Sequence, residues 1–302
     1  MGGGTPPGMK SFVGRQSILK EGNVIDQIKA LYKLSRPLTS FSGALAVLLG
    51  GYVARTGEWL HVGLAVLSTL LVSAAANAWN DYLDIEIDRI NQPQRPLPAG
   101  LISRKTARLF SFSLALIALV VASFINLPAF LIVLFSNVLL YVYSWKLKST
   151  VLMGNAAVAL VSAVSVIFGG VAAGNVRPTF WLAAIAGVGI LGREVLKTLA
   201  DYEGDLRQRC RTIATVWGRR PARIVFYVLV GATLVFMMFP YLFNVYGPVY
   251  AYIVAFGVYP VVLYVVLRVT RERTGPQLER LSQLMKVDFL VWFLAVFLGA
   301  AN

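Results

Sequence analysis

Nine apolar runs, each long enough to cross about 30 Å of hydrocarbon at 1.5 Å per residue, dominate this chain. They fall near 37–55, 60–80, 107–125, 128–145, 151–173, 178–199, 222–242, 247–268 and 284–301. A bilayer core offers the backbone no water to bond, so such runs close their hydrogen bonds internally as helices. The fold class that follows is all-α: a polytopic membrane bundle of about nine transmembrane helices. Composition agrees, because only 14% of residues are charged, where soluble domains carry about 25%. One domain is expected over 23–302, behind a flexible tail at 1–22. Pro128, Pro178, Pro221 and Pro248 lie near span starts, where a missing N–H costs little. Pro260 lies inside the eighth run and predicts a kink there. Residues 23–34 place Val24, Ile28, Leu31 and Leu34 along one face with lysines elsewhere, which predicts an interfacial helix before the first span.

Several kinds of chemistry are excluded early. A single cysteine, Cys210, allows neither an internal disulfide nor a cysteine-based metal site. The single histidine, His61, opens the second span on the outer side, far from the acidic residues, and reads as interfacial. The first ten residues hold no apolar stretch of the kind a signal peptide needs. Gly2 suggests a lipidation site, but Pro6 stands where Ser or Thr is required. A net charge of +14 would suggest nucleic acid in a soluble protein. Here 26 of the 28 Lys and Arg residues are dispersed over short loops on one side, and only Arg55 and Arg177 lie opposite. That asymmetry predicts a multi-pass protein of the cell membrane with a cytoplasmic N-terminus, an outward C-terminus, membrane lipid as a partner and no nucleic acid.

Acidic residues are few and grouped. Eight of the 14 fall in two windows: Asp81, Asp84, Glu86 and Asp88, then Glu194, Asp201, Glu203 and Asp205. In the first, Asn80, Asp84 and Asp88 follow at four-residue steps and share a helical face, with Asp81 bordering it and Glu86 turned away. In the second, Asp201 and Asp205 share a face below Glu194 and Thr198. Asp81, Asp84 and Asp88 match Thr198, Asp201 and Asp205 in spacing, at the inner ends of two spans that both run inward. This arrangement predicts a parallel structural repeat whose two acidic faces look across a cavity. Carboxylates so placed need a compensating cation, and hard oxygen ligands suit Mg²⁺ shared with phosphate oxygens. Asn80, Asp81, Asp84, Asp88, Asp201 and Asp205 are the candidate ligands. Basic residues gather on the same side, including Arg36, Arg95, Lys105, Lys146, Lys148, Arg193 and Lys197. Carboxylates ringed by cations are what a diphosphate bound through Mg²⁺ requires.

The segments NDYLDIEIDRINQPQRPLPAG and REVLKTLADYEGDLRQRCRTIATVWG resemble the paired motifs of the UbiA superfamily of intramembrane prenyltransferases. The likeness covers the whole nine-span layout, and the wording REV-K…D-EGD…RT is most like the archaeal branch that makes digeranylgeranylglyceryl phosphate. The resemblance implies that Asn80, Asp84, Asp88, Asp201 and Asp205 hold two Mg²⁺ ions bridging a prenyl diphosphate. It implies further that Lys105, Lys148 and nearby Tyr143 contact the diphosphate, with Asp84, Asp88, Asp201 and Asp205 catalytic. The chain departs from the family pattern at Thr198, where many members have aspartate, and at Arg209, where glycine is usual. The implied acceptor is geranylgeranylglyceryl phosphate, the alternative being an aromatic acid such as 4-hydroxybenzoate. Lys29, Lys33, Arg36 and Arg193 remain near the mouth for an acceptor phosphate. Rival classes are a cation transporter or channel and a phosphatidyl-alcohol transferase, whose compact signature is absent.

Overall fold

The computed structural model describes residues 24–55, 57–207, 209–271 and 274–300. The expected tail at 1–22 and Gly2 lie outside the described residues. The elements run α1 (Val24–Ser35), α2 (Pro37–Val53), α3 (Trp59–Leu83), α4 (Ile85–Asn91), α5 (Arg104–Ser123) and α6 (Leu127–Trp145). A 3₁₀ turn (Leu147–Ser149) then leads to α7 (Met153–Ala172), α8 (Thr179–Ala200), α9 (Tyr202–Arg207), α10 (Ile213–Val216) and α11 (Arg219–Leu242). The chain ends with α12 (Pro248–Ile253), a π turn (Val254–Val258), α13 (Tyr259–Arg271) and α14 (Gly275–Gly299).

Among the described residues, eight helical rods are long and apolar enough to cross a membrane: α3, α5, α6, α7, α8, α11, the rod at 248–269 and α14. The expected first span is the shorter α2, apolar over Ser40–Val53. It cannot extend backward, because Arg36 takes a left-handed backbone (φ 47) ahead of Pro37. The kink expected at Pro260 is a π turn just before it, where the helix widens around a residue with no N–H to give. The last helix begins nine residues before the expected 284. Its start is set by a capping box between Thr274 and Gln277. Glu279, Arg280 and Lys286 hide that first stretch from a hydropathy reading, although Leu278, Leu281 and Met285 on its other face are buried.

The bundle has two distinct ends. At one, the Arg55 guanidinium donates to the Ala300 carbonyl at 3.3 Å, Gly247 N–H to the Gly299 carbonyl at 2.9 Å and the Asn175 amide to the Ala54 carbonyl at 3.5 Å. At the other end lie the last turns of α3 and α8, the start of α14 and both acidic windows. Between the ends, α2 and α7 cross in contact. A Cβ on Gly50 would stand 2.1 Å from the Val166 carbonyl oxygen, and one on Gly169 equally close to that of Val47. Small residues at a crossing let helices approach where lipid supplies no hydrophobic drive. Outward faces carry exposed Leu116, Phe124, Leu127, Phe256 and Leu267, as a lipid-facing surface requires. The chain is a multi-pass membrane protein.

Candidate active site

Both acidic windows contain a helix break at the equivalent aspartate. Asp84 (φ −91, ψ 7) ends α3 and Asp201 (φ −83, ψ 1) ends α8, each followed at once by a short helix. Aspartate favours helix ends over interiors, because its carboxylate competes for backbone groups. Hydrogen bonding nevertheless continues through both breaks. Asp84 N–H donates to Asn80 O at 2.9 Å and Asp88 N–H to Asp84 O at 2.8 Å, while Asp201 and Asp205 repeat the pattern with Lys197 and Asp201, both at 2.9 Å. The first window is therefore a bent pair of helices rather than the single helix its spacing suggests. Matching breaks give the proposed repeat a backbone counterpart.

The two windows differ in charge balance. In the first, every aspartate has a basic partner: Asp81 bonds Arg36, Asp84 bonds Lys148, and Arg95 Nη1 reaches Asp88 at 2.6 Å and Asp81 at 3.4 Å. Asp81 is only 1% exposed and serves as the anchor that ties α3 to the α1–α2 junction and to the Arg95 loop. Glu86 faces away, exposed, with Arg89 at 2.6 Å and Arg104 at 3.9 Å. In the second, neither Asp201 nor Asp205 has an ion pair among the described residues. Partial burial pushes Asp201 up from the usual carboxylate range, Lys197 draws it down, and Glu279 and Glu194 push it up again. Asp205 is pushed up to about 6 by partial burial and the Asp201 charge, against a hydrogen bond from Thr212. Lys197 offsets the charge of this window only from a distance, without an ion pair to either aspartate among the described residues.

The two windows share one mouth. Asp84 and Glu194 both lie within electrostatic reach of Tyr143, and Cys210, beside Asp205, feels Lys148, the partner of Asp84. Behind the mouth is a cavity of about 760 Å³ enclosed by α2, α3, α6, α7, α8 and α14. Its outer ring includes Asn77, Tyr143, Arg193, Glu194, Lys197, Gln283 and Lys286; its depth is lined by Ile132, Val133, Leu140, Phe168, Ile190 and Phe293. Hydroxyls of Thr69, Ser162 and Ser165 also face it, but each donates to a carbonyl of its own helix at 2.9 Å. The chamber is thus a place for hydrocarbon. It opens sideways between α2 and α14, where exposed Ser42, Val287 and Leu290 line it. Farther along, Tyr52 and Phe297 rings meet with centroids 4.6 Å apart and close the two helices together.

Of the sequence-derived residues, Tyr143, Arg193 and Lys197 line the cavity; Asp84 lies within electrostatic reach of Tyr143, and Asp201 and Asp205 within that of Lys197, while Asn80, Asp88 and Lys148 are not among the cavity's lining residues. Arg36 and Arg95 are engaged with the first-window aspartates. Lys105, on the first turn of α5, and Lys146, capping α6, are exposed and do not line the chamber. Thr198 is buried and donates to the Val195 carbonyl at 2.8 Å, turned into the helix. Glu194 lines the cavity from the second acidic window, while Asn77, Gln283, Glu279 and Lys286 were missed by sequence reasoning. The polar triplet Glu279, Gln283 and Lys286, at four- and three-residue steps, was the signal available for the last three.

Among the described residues no group of three or more His, Cys, Asp or Glu side chains converges to cage a metal. Mg²⁺ needs no such cage where phosphate supplies further oxygens. Asp201 and Asp205, oxygen donors with no ion pair among the described residues, fit that kind of shared ion.

Comparison with known proteins agrees with this geometry. The model of the UbiA prenyltransferase family matches residues 43–299. The digeranylgeranylglyceryl phosphate synthase of Thermococcus gammatolerans is 34% identical over 90% of this chain and 97% of its own length. That of Methanopyrus kandleri is 34% identical over 89% and 98%. A solved digeranylgeranylglyceryl phosphate synthase superposes with a TM-score of 0.79 at 28% identity, covering 91% of this chain and 99% of that one. A UbiA homolog from Archaeoglobus fulgidus bound to GPP and Mg²⁺ shares the fold, with a TM-score of 0.69 at 19% identity over 88% and 99%. The chain belongs to the UbiA prenyltransferase family and is a prenyltransferase.

Proposed function

We propose that the chain transfers a geranylgeranyl group from its diphosphate to geranylgeranylglyceryl phosphate, with Mg²⁺ as cofactor. The observation that carries this reading is one chamber with a charged mouth and a hydrocarbon-compatible depth, open sideways toward lipid. Both synthase relatives at 34% identity support the choice of acceptor. A transport path would need charged or polar groups along its depth, whereas the charged side chains of the lining are confined to one end and the depth carries Ile132, Val133, Leu140, Phe168, Ile190 and Phe293 with a few hydroxyls.

Asn80, Asp84 and Asp88 on one side and Asp201 and Asp205 on the other would hold the ions, two by family analogy. When bound, Mg²⁺ supplies charge neutralisation for the diphosphate leaving group. Lys148 carries its ammonium to the same place and can exchange Asp84 for a diphosphate oxygen. The carbon–oxygen bond of the diphosphate breaks with its electron pair leaving on oxygen. Tyr143 offers an aromatic face between the mouth and the apolar depth, where an allylic cation would form. The acceptor hydroxyl oxygen then closes the new ether bond and releases its proton. Apolar walls keep competing water away. The mouth faces the cytoplasm by the distribution of basic residues.

The test is an assay of purified protein with geranylgeranyl diphosphate and either geranylgeranylglyceryl phosphate or 4-hydroxybenzoate. Faster prenylation of the lipid, abolished by EDTA and restored by Mg²⁺, is the expected result. Full activity in chelator would overturn the metal assignment, and faster prenylation of the aromatic acid would overturn the acceptor.

A further inference from the structure

The cations around the chamber fall into two classes. Arg36, Arg95 and Lys148 are each bonded to a first-window aspartate. Lys197 and Lys286 line the chamber and have no ion pair among the described residues. Lys197 stands on α8, one turn from Arg193, whose Nε donates to the Ser282 carbonyl of α14 at 3.3 Å while its Nη1 holds Glu194 at 2.9 Å. Lys286 is one turn from Ser282, so the Arg193 bond brings the two cationic helix faces to the same level.

Lys286 occupies an unusual place. It lies on a membrane-spanning helix, exposed, beside Val287 at 58% and Leu290 at 51% exposure, which line the sideways opening and face outward. An exposed lysine near a helix end ordinarily snorkels to the headgroup region. Lys286 instead borders a cavity that already contains Lys197, whose charge acts on Asp201 and Asp205, so Lys286 adds a second cation to this wall with no ion pair of its own among the described residues. The prenyl diphosphate has its own cations at the aspartate mouth. A second anion is wanted here.

We propose that Lys286 and Lys197 receive the phosphate of an anionic lipid acceptor as it enters sideways between α2 and α14, with Arg193 bracing α8 against α14. This rests on the acceptor assigned above and locates its headgroup. The lipid's chain lies along Val287 and Leu290 toward the apolar opening, while its phosphate stays at the ring. Asp201 and Asp205, which feel the Lys197 charge, Glu194, held by Arg193, and Glu279 are the acidic neighbours. Their repulsion keeps a phosphate toward the lysines rather than deeper in.

The test is steady-state kinetics of the full chain in zwitterionic nanodiscs. The acceptors are geranylgeranylglyceryl phosphate and the same glyceryl ether without phosphate, with geranylgeranyl diphosphate varied separately. Lys286→Met keeps the aliphatic stem and removes the charge. Its KM for the phosphorylated acceptor should rise about tenfold, as loss of one charge-assisted contact implies, with the diphosphate KM and kcat moving far less and the thermal midpoint unchanged. The phosphate-free acceptor should not distinguish the variant from the parent, and Lys286→Arg should recover most of the loss. A KM increase of the same size for both acceptors, or one confined to the diphosphate, overturns the site. Failure of the parent protein to prenylate the phosphorylated lipid would overturn the acceptor itself, and shows before any variant is compared.

Discussion

Asp84 and Glu86 are two residues apart, yet only one faces the chemistry. Asp84 sits at the helix break with Lys148, whereas Glu86 is exposed between Arg89 and Arg104. Asp84→Ala and Asp201→Ala are therefore expected to lower kcat by about 100-fold or more, the usual order for losing a group that stabilises developing charge. Glu86→Ala should stay near the parent rate in the same assay, and a comparable loss there would refute the facing argument. Arg209 offers a different check. It adopts φ 55, so the loop keeps a glycine-like backbone at the position where the family pattern suggested glycine. A side chain in the left-handed region costs about 1 kcal/mol, and Arg209→Gly should raise the thermal midpoint in detergent if no lost contact offsets that relief. The aspartates were legible because their spacing was periodic and the remaining chain nearly acid-free. Partners such as Arg36 for Asp81 were not, since 45 positions separate them in sequence and only the folded bundle joins them.

Helices α2 and α7 show how packing fixes the elements around the site. Their crossing at Gly50 and Gly169 holds the two halves of the chamber wall, with Ala46 on one helix and Ser165 on the other lining the cavity. Gly50→Ala would put a carbon 2.1 Å from the Val166 carbonyl oxygen, so the helices must separate. An overpacking cost of about 1–3 kcal/mol is expected, read as a lower thermal midpoint and a smaller monodisperse fraction. Gly63→Ala is the matched control, because nothing lies within 4 Å of a Cβ there; the better helix former should leave stability equal or higher. Helix existence and order were readable from hydropathy. Helix ends were not: α14 begins on a charged, amphipathic stretch, and α3 and α8 stop at aspartates whose neighbours all look helical. The α14 start is set by a capping box and the α3 end carries the Asp84–Lys148 ion pair, neither of which hydropathy registers. Lys286 escaped because it and Asp288 are two charges inside a run that reads as apolar over its length.

The whole bundle is polarised. Both acidic breaks, the loop bearing Arg95, the 3₁₀ turn with Lys148 and the start of α14 share one end, while Arg55 and Arg177 mark the other. In the proposed reaction the mouth lies on the side where basic loops are retained, so donor and cation would reach it from the same aqueous phase, and the lipid acceptor would arrive from within the membrane through the opening between α2 and α14. Sidedness is testable without activity, on a Cys210→Ser background that removes the only native thiol. Gly57→Cys, in the connection between α2 and α3 with nothing within 4 Å of its Cβ, should react with an impermeant maleimide in intact cells. Glu203→Cys, exposed just beyond the second break, should react only after the membrane is permeabilised. The reverse pattern would invert the orientation and put the mouth outside. Labelling of both from one side would contradict the two-ended bundle itself, because α3 crosses between the connection holding Gly57 and the acidic end.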